Sequence, residues 1–219
     1  MKKLIIFGFG DIAQIAKFYF ERDTMYKVEA FCLDSDYIES KEFEGLPVVP
    51  FERLVDNYPP DQFDLFLALS YTNMNKLREK KFFEAKEMGY KLPSYLSPDC
   101  TYRSQSEVGE NCFIFEDNTI QPFVKIHDNV TLWSGNHIGH HSHIESHNFI
   151  SSHVVISGHC IVRSNCFLGV NSTIAHNVII EKETLIGAGA IIAKNTDFKG
   201  VYVGARSLKI DKKSDEISL

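Results

Sequence analysis

All nine histidines of this chain fall between His127 and His176, and the stretch SGNHIGHHSHIESH, residues 134–147, holds five of them. Imidazole offers three kinds of chemistry. It takes and returns a proton near neutral pH, its pKa being about 6.5. It ligates metals such as zinc, provided three or four donors converge. Otherwise it serves as a polar surface group. Spacing decides among these only once the elements that carry the rings are known.

From Val108 the chain repeats every six residues. Val108, Ile114, Ile120, Ile126, Leu132, Ile138, Ile144, Ile150, Ile156, Val162, Leu168, Ile174, Ile180, Ile186 and Ile192 are fifteen successive sixth positions, all aliphatic. Four residues after each stands a small or short one, among them Cys112, Asn118, Asn136, Ser142, Cys160, Cys166 and Ala190. One large and one small inward residue per hexad predict a hexapeptide β-helix, three hexads to a triangular coil. Residues eighteen apart then stack on adjacent coils, about 4.8 Å apart. The third residue of each hexad faces outward. One such row reads Pro122, His140, Gly158, His176, Lys194, so His140 stands beside the one position on it without a side chain.

Residues 1–97 alternate strands and helices, which predicts a small Rossmann-like sheet of parallel βαβ units. Its strands are expected in KLIIFGFG, YKVEAFCLD, GLPVVP, FDLFLALS and, last, KLPSYLS. Its helices are expected in DIAQIAKFYFER, with Ile12, Ile15, Ala16 and Phe20 on one face, and in NMNKLREKKFFEAKEMG, stopped by Gly89. Gly8-Phe9-Gly10-Asp11-Ile12-Ala13 fits GxGxxA between a strand and a helix. This is a place for a pyrophosphate at a helix N-terminus, with Asp34 set to accept from a ribose hydroxyl. Ser70, Asn73 and Arg78, after the fourth strand, are expected to face the same ligand. Residues 98–219 form the second domain, the β-helix with a C-terminal tail.

The net charge of −6 argues against a nucleic-acid partner, which needs clustered cations. No apolar run approaches the roughly 18 residues that span a bilayer, and the five scattered cysteines form no CxxC pair. A cytoplasmic protein with reduced cysteines is expected.

The combination resembles the hexapeptide-repeat sugar acetyltransferases of the sialic acid O-acetyltransferase and bacillosamine N-acetyltransferase type. The resemblance rests on GFGDIA, LALS…LREKK, the hexad array and the closing NCFLGVNSTI…IGAGAIIAKN…GVYVGARS, and spans nearly the whole chain. It implies a left-handed coil, a homotrimer, acetyl-CoA as donor and a nucleotide-linked sugar as acceptor. It also implies active sites in the clefts between neighbouring β-helices. The family's catalytic histidine falls on His140, as general base; His137 and His153 are its rivals. Gly158, Gly187, Ala188 and Gly189 would let coenzyme A lie along the coils, with Lys194, Arg206 and Lys209 near its phosphates.

Family members place an acid beside this histidine, whereas Gly139 and His141 flank His140 here. Glu145 or a residue of a neighbouring chain is then expected to orient the ring. Hexapeptide β-helices with three-histidine metal sites also exist, as in gamma-class carbonic anhydrases. The closing segment and the N-terminal domain fit the acyltransferases better, so no metal is expected. The activity implied is acetyl-CoA-dependent N-acetylation of a nucleotide-linked amino sugar in surface glycan biosynthesis. O-acetylation of a sialic-acid-type sugar and a non-catalytic nucleotide-sugar-binding trimer are the alternatives.

Overall fold

The computed structural model describes residues 2–102, 105–209, 211, 213, 214 and 217. The N-terminal part runs β1 (Lys2–Phe7), α1 (Asp11–Asp23), β2 (Tyr26–Leu33), β3 (Glu42–Phe43), β4 (Leu46–Pro50), α2 (Leu54–Asn57), β5 (Phe63–Leu67) and α3 (Lys76–Glu87). Its sheet has the order β3-β4-β2-β1-β5. Four strands are parallel, but β3 pairs antiparallel with β4. The sheet is therefore mixed rather than wholly parallel. The cause is local: Glu44 and Gly45 both have positive φ, 50° and 73°, the twist a two-residue hairpin requires. On α1 the buried face is Ala13, Ala16 and Phe20, with Ile12 and Ile15 only half covered.

KLPSYLS is not a strand of this sheet. Tyr95–Leu96 pairs with Phe113–Ile114 and opens the β-helix. The coil thus begins before Val108, and Leu96 and Tyr102 continue the inward row backwards, packed against the same core. Three parallel sheets form its faces. Face 1 has seven strands from Tyr95–Leu96 to Val201–Tyr202. Face 2 has six, from Thr101–Tyr102 to Ile191–Ile192, and face 3 has five, from Glu107–Val108 to Ile179–Ile180. The register is eighteen residues throughout the hexad array, as in Ile120↔Ile138↔Ile156↔Ile174↔Ile192. Every one of these is buried, and each such side chain contributes roughly 1.5–3 kcal/mol.

The small inward positions do polar work as well. The Asn118 side-chain carbonyl accepts from the Asn136 N–H at 3.2 Å, and that of Asn136 accepts from Val154 N–H at 2.8 Å. These bonds satisfy corner amides that no strand reaches. Cys112, Cys160 and Cys166 are fully buried free thiols in the same rows, as the hexad pattern predicts.

Each corner needs one left-handed residue. From Asn111 to Gly189 every sixth residue has positive φ, and the series includes His141, His147, His153 and His159 at 58–64°. Asn, Asp and His tolerate that conformation better than most side chains. The clustering of histidine in the sequence is therefore partly a property of the turns.

The N-terminal part packs on face 1 and on the corner between faces 3 and 1. Phe20, Phe66 and Tyr95 share a core with Phe113 and Phe115. Asn111 Oδ1 accepts from the Leu67 N–H at 2.8 Å, and Asn75 Nδ2 donates to the Cys166 carbonyl at 2.9 Å.

Candidate active site

His140 sits at the corner between faces 2 and 3, immediately after the strand His137–Ile138. Its side chain is exposed, and its N–H donates to Gln121 Oε1 at 2.9 Å, one coil earlier. The ring lies over Gly158. A Cβ built on Gly158 would stand 2.8 Å from both His140 Cε1 and Nε2. The gap expected from the row of third positions is therefore filled by the imidazole itself, its Nε2 edge laid across bare backbone.

The other nitrogen is committed. His140 Nδ1 faces His141 Nδ1 at 3.1 Å, so one of the two carries the proton between them. With that proton on His140, Nε2 is left unprotonated and basic. Glu145, expected to orient His140, does not do so. It accepts from Arg163 Nη1 at 2.7 Å and from the N–H and hydroxyl of Ser164, at the corner between faces 3 and 1. Of the residues flanking His140, His141 is the one whose ring nitrogen lies within hydrogen-bond distance of Nδ1.

Two more imidazoles complete the group. His159 stacks on His141 with ring centroids 4.8 Å apart and planes at 9°, while His176 lies 5.4 Å from His159 and 6.4 Å from His140. Phe123 covers the far side of His141 at 4.6 Å. Desolvation by the neighbouring rings, and then their charges, push the His159 pKa below its ordinary value. The eighteen-residue stacking that set His140 beside Gly158 also predicts the His141–His159 column, a signal sequence reasoning left unused.

The rival histidines stand elsewhere. His137 is half-buried on the outer surface of face 2. His153 is at the corner between faces 1 and 2, its ring over Gly135, where a Cβ would meet Nδ1 at 2.5 Å. Gly187, Ala188 and Gly189 are at that same corner, thirty residues beyond the Gly158 coil position, so within one chain they do not join His140. Lys194, Arg206 and Lys209 are exposed.

At the other end, Gly8 and Gly10 have φ of 144° and 107°, and a Cβ on Gly8 would strike the Ala68 carbonyl at 2.6 Å. This close approach explains the glycine. Beside it opens a cavity of about 630 Å³ lined by Phe7, Phe9, Asp34, Tyr37, Thr72 and Lys80, among others. Asp34 reaches it while bridging the buried Lys81 ammonium at 2.5 Å. Burial works against that ammonium, but hydrogen bonds to Asp34 and Glu84 outweigh it and hold its pKa above the ordinary value. Ser70 bonds to Thr72, hydroxyl to hydroxyl, at 3.3 Å, and Asn73 is exposed with φ 50°.

Arg78 does not face this cavity. It is buried beneath α3 against the coil, donating from Nη2 to Asn129 Oδ1 at 3.0 Å, with Nε and Nη1 unpartnered. It shares the buried side of α3 with Phe82 and Ala85, four and seven residues on, and meets the β-helix there. Desolvation lowers its pKa to about 10. Next to it Asn129 Nδ2 meets His147 Nδ1 at 2.9 Å, and desolvation takes the His147 pKa from 6.5 to about 4.

Residues 123–158 and 159–194, inside the three-sided coil, match the family described as bacterial transferase hexapeptide (six repeats). The coil is a hexapeptide-repeat β-helix. Its parallel faces fit the left-handed form. No curated protein matches the chain. Among solved structures, the acetyltransferase domain of PglB from Neisseria gonorrhoeae superposes with a TM-score of 0.82 at 20% identity, covering 93% of this chain and 97% of that one. PerB from Caulobacter crescentus, in complex with CoA and GDP-perosamine, gives 0.83 at 20% identity over 93% and 95%. WeeI from Acinetobacter baumannii gives 0.72 at 16% identity over 93% and 97%. At these identities the likeness is one of fold, and it extends over the N-terminal part as well as the β-helix.

Proposed function

We propose that the chain is an acetyl-CoA-dependent acyltransferase that N-acetylates a nucleotide-linked amino sugar in glycan assembly. The observation that carries this reading is His140, with Nε2 over Gly158 and Nδ1 held by His141. The fold likeness supports it. The PglB domain is also known in complex with acetyl coenzyme A, and PerB with CoA and GDP-perosamine.

The sugar amine attacks the carbonyl carbon of the thioester while His140 Nε2 takes its proton. The C–S bond then breaks, and the proton passes to the departing coenzyme A thiolate, leaving an amide and a free thiol. A backbone N–H at Gly158 serves the developing oxyanion. His141 is a positioning residue: accepting from Nδ1–H fixes the tautomer that leaves Nε2 basic.

Residues 1–97 bind the nucleotide sugar, through Gly8, Gly10 and Asp34 around the cavity beside β1. Residues 98–219 carry the acyl donor. The N-terminal part packs on face 1, and His140 occupies the corner opposite that face. An acceptor held in one chain's cavity therefore reaches a neighbour's His140 more readily than its own, which supports a homotrimer. In such a trimer the Gly187–Gly189 corner, Lys194 and Arg206 of an adjacent chain line the coenzyme cleft. Cytoplasmic location accords with these substrates, and among the described residues no helix is long and apolar enough to cross a membrane.

The test is release of free coenzyme A thiol from acetyl-CoA across UDP-, GDP- and dTDP-linked amino and hydroxy sugars. Turnover with an amino sugar, lost in His140→Asn, supports the reading. Turnover with a hydroxy sugar alone reassigns the reaction to O-acetylation.

A further inference from the structure

The corner between faces 2 and 3 carries more imidazoles than a single general base requires. His141 and His159 follow one another in the left-handed column Phe123, His141, His159, Asn177. His140 and His176 flank them in the adjacent column, on either side of Gly158. One ligand atom from each of His140, His141 and His159 lies within 4.8 Å of the others. The His140 and His141 Nδ1 atoms are 3.1 Å apart. A tetrahedral zinc ion with Zn–N bonds of about 2.0–2.1 Å separates its nitrogens by about 3.3–3.4 Å. The three rings are exposed, so small rotamer changes bring the third nitrogen in. The donor set is nitrogen only, which suits zinc, cobalt, nickel or copper and not magnesium or calcium.

We propose that His140, His141 and His159 form a site for one such divalent cation, with His176 or water completing the shell. Its occupation removes His140 from proton transfer. This second clause rests on the acyltransferase reading, and there the ion is an inhibitor and not a cofactor. A bound ion ties up the Nε2 or Nδ1 lone pairs on which the base depends, so catalysis and metal occupancy exclude one another at this corner.

The experiment is titration of the untagged chain with cobalt(II), followed by its visible d–d absorption and by zinc displacement. Wild type binds one equivalent in a tetrahedral environment. His159→Asn and His141→Asn each weaken binding by more than tenfold. Asn occupies the same column at Asn177 with φ 62°, so both variants keep the fold, and circular dichroism verifies it. His153→Asn, at another corner, keeps full binding. Absence of stoichiometric binding in wild type, or equal binding by His159→Asn, overturns the site. Inhibition is read separately: zinc stops thiol release by wild type, a chelator restores it, and His159→Asn resists zinc. Binding without loss of turnover keeps the site and overturns its effect on His140. The cobalt spectrum does not depend on acyl transfer, so failure of the activity reading leaves the site's own test intact.

Discussion

The His140 imidazole occupies the space above Gly158 so closely that a single added methyl would stand 2.8 Å from its Nε2. The two residues are eighteen apart and share one row of the β-helix. Gly158 has no positive φ, so the glycine is required by the ring above it and not by its own backbone.

Gly158→Ala should therefore leave the coil folded and displace the ring. Thiol-release turnover is expected to fall more than tenfold, with the circular dichroism spectrum and Tm near wild type. His140→Asn should cost roughly 10²–10⁴ in kcat, the ordinary worth of a general base, while acetyl-CoA still binds. Full activity in both variants would move the base to His153 or His137.

The buried Arg78 guanidinium has one hydrogen bond, to Asn129, and two unpartnered nitrogens. Arg78→Met removes a charge whose desolvation is poorly compensated, and Asn129 Oδ1 keeps the Asn111 amide donor at 2.9 Å. The KM for the nucleotide sugar is expected to stay within twofold of wild type, and Tm to be held or raised. A large rise in KM would return Arg78 to the sugar site.

Asp34 both lines the N-terminal cavity and pairs with Lys81, which keeps Glu84 as its second partner at 2.7 Å. Asp34→Asn should weaken nucleotide-sugar binding and cost about 1–2 kcal/mol of stability, since a nearly buried ammonium loses one of two anions. Urea unfolding measures the second effect. Adding Lys81→Met should recover stability without recovering affinity, which separates the two roles.

His147 is neutral when folded, with a pKa of about 4 against 6.5 unfolded. Between those values the unfolded chain binds the extra proton, so stability falls as pH drops from 6.5 toward 4 and is insensitive to this group above 6.5. His147→Asn places in the column the residue found at Asn129 and Asn165. The fall in Tm between pH 7 and pH 5 should be smaller in that variant than in wild type. Parallel slopes would show that other groups carry the acid sensitivity.

The β-helix was legible in residues 108–192 because a six-residue period with a buried aliphatic at each repeat has one geometric solution. That regularity also converted the distance between His140 and Gly158 from 18 positions in sequence to adjacent coils in space. The glycine-rich turn after β1 was legible for a similar reason, since only glycine admits the approach of Ala68 to Gly8. Three matters were decided by tertiary structure. Tyr95–Leu96 could extend either sheet, and pairing with Phe113–Ile114 assigned it to the coil. Arg78 lies on the same side of its helix as the buried Phe82 and Ala85, but its partner Asn129 belongs to the β-helix and was decided by the docking of the two parts. Glu145 is near His140 in sequence, but a corner of the triangle separates them, and Arg163, eighteen residues on, claims it instead. Local period determines what repeats along the coil; what meets across a corner or between the two parts of the chain depends on contacts that no local pattern encodes.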